Sequence, residues 1–295
     1  MVPCTDRFPV NNHTPSEKKL GLVLNPTRYQ AQFASGIEMA TLEQFSLPFA
    51  IDKKIKRYAC YIDVDGVPHE ASWTGDWAIH DFTDPSLLVD FQLVDFRLVP
   101  LQLTTEISTL WNRSRLLAFG SHASVRFVED DVDDPSYPVV KLAHPGDETS
   151  RRFVEREFNI MREFSDLDAV AQVAPEPLVD EHEVFGFRLE LLHRVDPREL
   201  EVRFQEVERL LDELHEAGWC HGDCNFSNIM MRKKDGRLVL IDLSFAGRIR
   251  SRVPEGFLRH LFEGTRRYMV HVDRERIRTC VAQMEEHRAR RGRKT

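Results

Sequence analysis

The segment His221-Gly222-Asp223-Cys224-Asn225-Phe226-Ser227-Asn228, followed closely by Leu238-Val239-Leu240-Ile241-Asp242, decides how this chain of 295 residues is read. Ile229 to Met231 is a short apolar run. Lys233-Lys234-Asp235-Gly236 is a polar turn whose Asp-Gly pair tolerates positive φ, and Leu238 to Ile241 is a second apolar run. The spacing predicts a β-hairpin. Asn228 leads into its first strand and Asp242 ends its second, so both lie at the end away from the turn. Asp223 sits on the loop that feeds the same end. A carboxylate and an amide side by side are hard oxygen ligands of the kind Mg²⁺ uses when it also binds substrate phosphates. A second carboxylate nearby can orient or deprotonate a hydroxyl. The bland alternative is a polar loop with unrelated acidic residues.

Composition bounds the class. Hydrophobic content of 42% and charged content of 30% are those of a globular chain, and the length allows one or two domains. No apolar run approaches a membrane span, and Met1-Val2-Pro3-Cys4-Thr5-Asp6 has no basic segment followed by an apolar one. The expectation is therefore an intracellular protein, cytoplasmic or nuclear, with no membrane partner. A net charge of −8 argues against nucleic acid as a partner. The exception is the basic tail, Arg288, Arg290, Arg291, Arg293 and Lys294, which reads as a solvated helix end or as a targeting patch. The odd set Cys4, Cys60, Cys220, Cys224 and Cys280 lacks paired spacing, as expected of reduced thiols. Cys220 and Cys224 flank the central loop without the second Cys or His pair that a zinc site needs.

From the amino terminus, residues 1 to about 20 are polar and proline-punctuated. Strand signals run from about Leu20 to Leu103. Arg57 to Asp63 and Val67 to Trp73 flank Asp65-Gly66 as a second hairpin, and Leu87 to Leu101 reads as a long strand or bent pair. Trp73, Trp77, Phe82 and Phe91 give this β-rich stretch aromatic surface for a core of its own. Residues 1–108 form one domain on this reading, with no catalytic constellation; 109–295 form the second, divided near 192/193.

Leu116 to Val128 reads as strand, tight loop, strand. If the loop covers a nucleotide, small residues at Ala118, Gly120 and Ala123 let backbone amides approach phosphates and Val125 packs on the base; a plain hairpin explains the pattern equally well. Lys141 sits inside the apolar strand Val139 to Ala143, where an ammonium is costly without an anion. Val154, Phe158, Met161 and Phe164 mark one face of a helix from Arg151 to Ser165, with Glu157 at its inward edge as the expected partner. Leu189-Glu190-Leu191-Leu192 reads as a hinge whose backbone suits an adenine edge. Asp196-Pro197-Arg198-Glu199 starts a helix expected to continue to Gly218. Glu255 to Phe262 and Arg274 to Arg288 also look helical.

Taken together, Ala118-x-Gly120-x-x-Ala123-x-Val125, Lys141, Glu157, His221-Gly222-Asp223-x-x-x-x-Asn228 and Ile241-Asp242-Leu243-Ser244 resemble the protein kinase-like superfamily over about residues 110 to 290. The resemblance implies an α+β, bilobal kinase-like fold behind a β-rich N-terminal region. It implies ATP and Mg²⁺, with Asp223 as catalytic base, Asn228 and Asp242 as metal ligands, and Lys141 on the phosphates with Glu157 as its partner. The acceptor would be a hydroxyl of a protein or a small molecule.

This chain also departs from the pattern. Gly222 replaces the arginine usual before the catalytic aspartate, Asn225 stands where protein kinases carry a phosphate-contacting lysine, and Ser244 replaces a glycine. Val253-Pro254-Glu255, which echoes the end of an activation segment, follows Asp242 closely, and little room remains for a peptide-docking platform. These features resemble the atypical, aminoglycoside phosphotransferase-like enzymes. The rival reading is a pseudokinase, a nucleotide-binding scaffold that recruits a protein partner through its N-terminal β region.

Overall fold

In the computed structural model, Asp65 and Gly66 both have positive φ, 52° and 84°, which is the two-residue hairpin turn their sequence favours. The structure describes residues 29–31, 40–46, 48–52, 54–75, 94–129, 134–181, 183–254, 257 and 266–292. The readings of residues 1 to 20, Trp77, Phe82, Phe91, the strand start at 87–93, most of the helix at 255–262, and Arg293 and Lys294 lie outside the described residues.

The turn belongs to an antiparallel sheet of β1 (Tyr29–Ala31), β2 (Ala40–Gln44), β3 (Phe49–Asp52), β4 (Arg57–Val64), β5 (Val67–Thr74) and β6 (Val94–Pro100). Its order is β1-β2-β4-β5-β6, with β3 also paired to β4. Helix α1 (Thr105–Asn112) follows, its Thr104 cap accepting the Ile107 N–H. Ile107 and Trp111, one turn apart, bury the same face. A second antiparallel sheet has the order β10-β11-β9-β8-β7. Its strands are β7 (Ser114–Phe119), β8 (Ala123–Val128), β9 (Val139–Ala143), β10 (Leu178–Asp180) and β11 (Glu183–Leu189), with helix α2 (Glu148–Glu163) between β9 and β10 in the chain.

These elements share a core in which Phe45 and Tyr61 from the first sheet meet Trp111, Leu116, Val140, Leu142 and Phe185. Trp111, Arg126 and Asp180 carry polar contacts at its edge. The Trp111 indole donates to Asp63 at 2.6 Å, and the Arg126 guanidinium lies 3.9 Å from the same ring while donating to Ser114. Asp180 accepts both ends of the Arg151 guanidinium at 2.5 and 2.8 Å, and Thr104 at 2.9 Å, so the residue that caps α1 is tied to β10. The Arg151 guanidinium holds the Asp180 carboxyl below the usual carboxylate range.

The described residues divide into two compact units, one within 29–156 and 174–189, the other within 157–173 and 190–292. In the second, α3 (Pro197–Val202) and α4 (Phe204–Glu216) replace the single helix expected from Asp196 to Gly218. The chain breaks at Arg203, whose guanidinium holds Glu199, Glu206 and the carbonyl of Gly236 together. Asp196 caps α3 through the Arg198 N–H at 2.7 Å, as its sequence promised. β12 (Leu192–Arg194), β14 (Ile229–Arg232) and β15 (Leu238–Leu240) form one small sheet, and β13 (Trp219–Cys220) with β16 (Gly247–Arg248) another. The last helix, α5 (Val270–Gly292), begins one turn before the expected Arg274. Its β-branched start is a poor helix former, but Val272 and Asp273 are buried there, and burial overrides propensity.

His144 follows β9 and is buried, with Nε2 3.1 Å from the Gly120 carbonyl and its ring 5.2 Å from that of Tyr61. Burial pushes its pKa down from 6.5 to about 4. The unfolded chain therefore binds this proton more readily, and stability falls as the pH drops from 6.5 towards 4. At pH 5 the loss from this residue is on the order of 2 kcal/mol. Urea unfolding at pH 7.5 and pH 5 should show that loss in the wild type and a smaller one in His144→Gln. Equal losses in the two proteins would contradict the assignment.

Candidate active site

The hairpin predicted around Asp235-Gly236 is present. Ile229 faces Leu240 and Met231 faces Leu238, and the Ile241 N–H continues the pairing onto the Asn228 carbonyl at 3.0 Å. Asn228 and Asp242 are thereby held at the same end. Asn225 caps the 3-10 turn Phe226–Asn228 by accepting the Ser227 N–H, which directs the chain into β14. Asp242 adopts a left-handed conformation (φ 59°, ψ 58°) that a short polar side chain tolerates. Ser244, in the place of the usual glycine, donates to Asp242 Oδ1 at 3.0 Å.

Asp223 is buried. Its carbonyl accepts the Asn228 side-chain N–H at 2.8 Å and that of Asn225 at 3.1 Å. With Nδ2 so engaged, Asn228 turns its Oδ1 the other way. His221 Nδ1 accepts the Asp223 N–H at 3.3 Å, which places the ring proton on Nε2, where it meets the Ile241 carbonyl at 3.0 Å. One imidazole thus links the loop before Asn228 to the strand end before Asp242.

The residue that fixes this loop was not read from the sequence. Asp273, on the first turn of α5 and 1% exposed, accepts the His221 N–H at 2.7 Å and the Gly222 N–H at 3.0 Å, and lies 3.1 Å from His215 Nε2. One signal was there: Asp273 precedes Ile277 by four residues, so it lies on the helix face that Ile277 buries. His215, Cys220 and Asp273 bring one ligand-type atom each within 4.8 Å of one another. The Asp273 oxygens accept the His221 and Gly222 N–H groups, and burial followed by the Asp273 charge pushes the Cys220 thiol up. Arg276, also unforeseen, donates from α5 to Asp223 Oδ1 at 3.2 Å.

The other expected residues are distributed as follows. Glu157, Glu190 and Leu192 belong to the same unit as Asp223, Asn228 and Asp242; Gly120, Ala123, Val125 and Lys141 belong to the other. Lys141 lies on the central strand β9, facing Val125 on β8 and Phe187 on β11. The Gly120 N–H bonds the Ala123 carbonyl at 2.8 Å, closing the loop as a tight turn. Glu157 is buried on α2. At the expected hinge, the Glu190 N–H bonds the Gln172 carbonyl and its carboxylate receives Gln172 N–H and the buried Arg232, while Leu192 pairs with Arg232 on β14.

Residues 191–271, which hold His221 to Asn228 and Asp242, match the model of the lipopolysaccharide kinase (Kdo/WaaP) family. That match points to a kinase. Together with the antiparallel sheets and the β-rich N-terminal region, it supports a mixed α+β, kinase-like fold. Among solved structures, the kinase PK-1 of Cydia pomonella granulovirus is similar at 12% identity and a TM-score of 0.39, over 57% of this chain and 67% of that one. No curated protein matches. Among the described residues, no helix is long and apolar enough to cross a membrane.

Gly222, one of the departures from the kinase-like pattern, has a local cause. Its φ is +79°, and a Cβ there would lie 2.2 Å from the Phe245 carbonyl oxygen, a backbone atom that cannot swing aside. Gly222→Ala should cost about 3 kcal/mol in chemical denaturation, from strain plus overlap. Gly236→Ala is the control, since its φ is +70° but nothing lies within 4 Å of the added carbon; its cost should stay near ~1 kcal/mol. Equal costs would show that the Phe245 contact does not constrain the loop.

Proposed function

We propose that the chain is an ATP- and Mg²⁺-dependent phosphotransferase that moves the γ-phosphate to a hydroxyl of a small molecule or a protein, with Asp223 as the base. The observation that carries this reading is the convergence of Asp223, Asn228 and Asp242 at one end of the β14–β15 hairpin. The kinase family match over residues 191–271 supports it.

In this reading the Asp223 carboxylate orients the acceptor hydroxyl and takes its proton. The hydroxyl oxygen bonds to the γ-phosphorus while the bond to the bridging oxygen breaks and ADP leaves. The donor set suits Mg²⁺, because Asn228 Oδ1 and the Asp242 carboxylate are hard oxygens and the Asn228 Nδ2 is already committed to the Asp223 carbonyl. The ion would neutralise charge on the phosphate oxygens. Lys141, on the middle strand of its sheet, is the proposed phosphate contact and Glu157 its partner. Gly120, Ala123 and Val125 would cover the nucleotide, and Glu190 with Leu192 would border its base. As one acceptor class, the hydroxyl of a lipopolysaccharide sugar follows from the family's name.

One observation favours a second reading. The Gly120 amide closes its own turn on Ala123, which leaves that glycine loop less to offer a phosphate. A pseudokinase scaffold, with a protein partner taken through residues 1–108, is the alternative. Thermal shift with ATP, with and without Mg²⁺, should show stabilisation that needs the metal. Transfer of labelled γ-phosphate to lipopolysaccharide, small sugars or a generic protein acceptor should fall about 10²- to 10⁴-fold in Asp223→Asn. No stabilisation by Mg-ATP would contradict both nucleotide-based readings, and tight binding without turnover would favour the scaffold.

A further inference from the structure

We propose that Arg276 is a positioning residue for the Asp223 carboxylate, a cation delivered from helix α5 to a loop that carries none of its own beside the base. The inference rests on the reading of Asp223 as that base. Arg276 Nη1 donates to Asp223 Oδ1 at 3.2 Å, and the two side chains are only 11% and 9% exposed. Ion pairs on open surface contribute little, but a pair this covered is held in one geometry.

The helix fixes where the guanidinium begins. Asp273, one turn earlier, is bonded to the amides of His221 and Gly222, and Ile277, the next residue, is fully buried. Arg276 is therefore registered against the same loop that holds its partner. The second donor to Asp223 Oδ1 is the neutral Asn225 Nδ2 at 3.4 Å, a longer and weaker contact. Both donors meet the same carboxylate oxygen, so the side chain of the base is held from Oδ1 while it takes the acceptor proton and the acceptor oxygen bonds to phosphorus. The guanidinium charge also offsets repulsion between this carboxylate and the incoming phosphate.

The test compares wild type, Arg276→Met, Arg276→Gln, Arg276→Lys and Asp223→Asn as full chains, reading Mg-ATP turnover, the KM for ATP and thermal stability. Arg276→Met and Arg276→Gln should lose about 30-fold in kcat with the KM for ATP within about 2-fold, the pattern of lost orientation. Arg276→Lys should recover a large part of that kcat. If either neutral variant keeps full kcat while Asp223→Asn loses it, the inference fails and the proposed function survives. If Arg276→Lys is folded but no faster than the neutral variants, charge at this position does not act and the inference is overturned. A wild type no faster than Asp223→Asn removes the proposed function and this inference together.

Discussion

A single buried carboxylate organises the second unit. Asp273 presents its two oxygens to consecutive amides, those of His221 and Gly222, at a point where the chain turns through positive φ and cannot pair in a sheet. A buried amide without a partner costs on the order of 1–3 kcal/mol, and hydrogen bonds to a charged acceptor are among the stronger ones. The loop therefore has one conformation to adopt once α5 is in place. His215 reaches the same carboxylate from the end of α4, so two helices and the loop meet at one charge.

The remaining features of the site follow from that anchor. With Gly222 pressed against the Phe245 carbonyl, the loop lies on the 3-10 turn Leu243–Phe245 that follows Asp242. His221 then bridges to Ile241, and the Asp223 carbonyl collects the side chains of Asn225 and Asn228. These polar groups bond one another, so the Asp223 and Asn228 side chains are held in place by neighbours from the same loop and hairpin. In the first unit the organising force is different. There an apolar core joins the N-terminal sheet to the sheet that carries Lys141, with Trp111 held between the Asp63 carboxylate and the Arg126 guanidinium.

Much of this was legible in the sequence because it was local. Two Asp-Gly pairs between apolar runs announced two hairpins, and one of them fixed the relation of Asn228 to Asp242 by strand alternation and turn length. The Asp196-Pro197 start of α3 was equally plain. The break at Arg203 was not, because it depends on a guanidinium reaching Gly236 on the far side of a hairpin turn. Asp273 and Arg276 were missed for the same kind of reason: they act on a loop some fifty residues earlier in the chain, and their spacing looks like any amphipathic helix. The substitution of glycine at position 222 was visible as a departure, but its cause, the Phe245 carbonyl, lies in another element.

Asp273 orders the loop from a distance, and amide hydrogen exchange in wild type and Asp273→Asn tests that role most directly. Exchange at His221 and Gly222 should quicken at least about 10-fold in the variant, while Met230 and Val239, paired within the hairpin, keep their protection. Unchanged protection at His221 and Gly222 would mean that the loop holds its shape without that carboxylate, and would contradict the account.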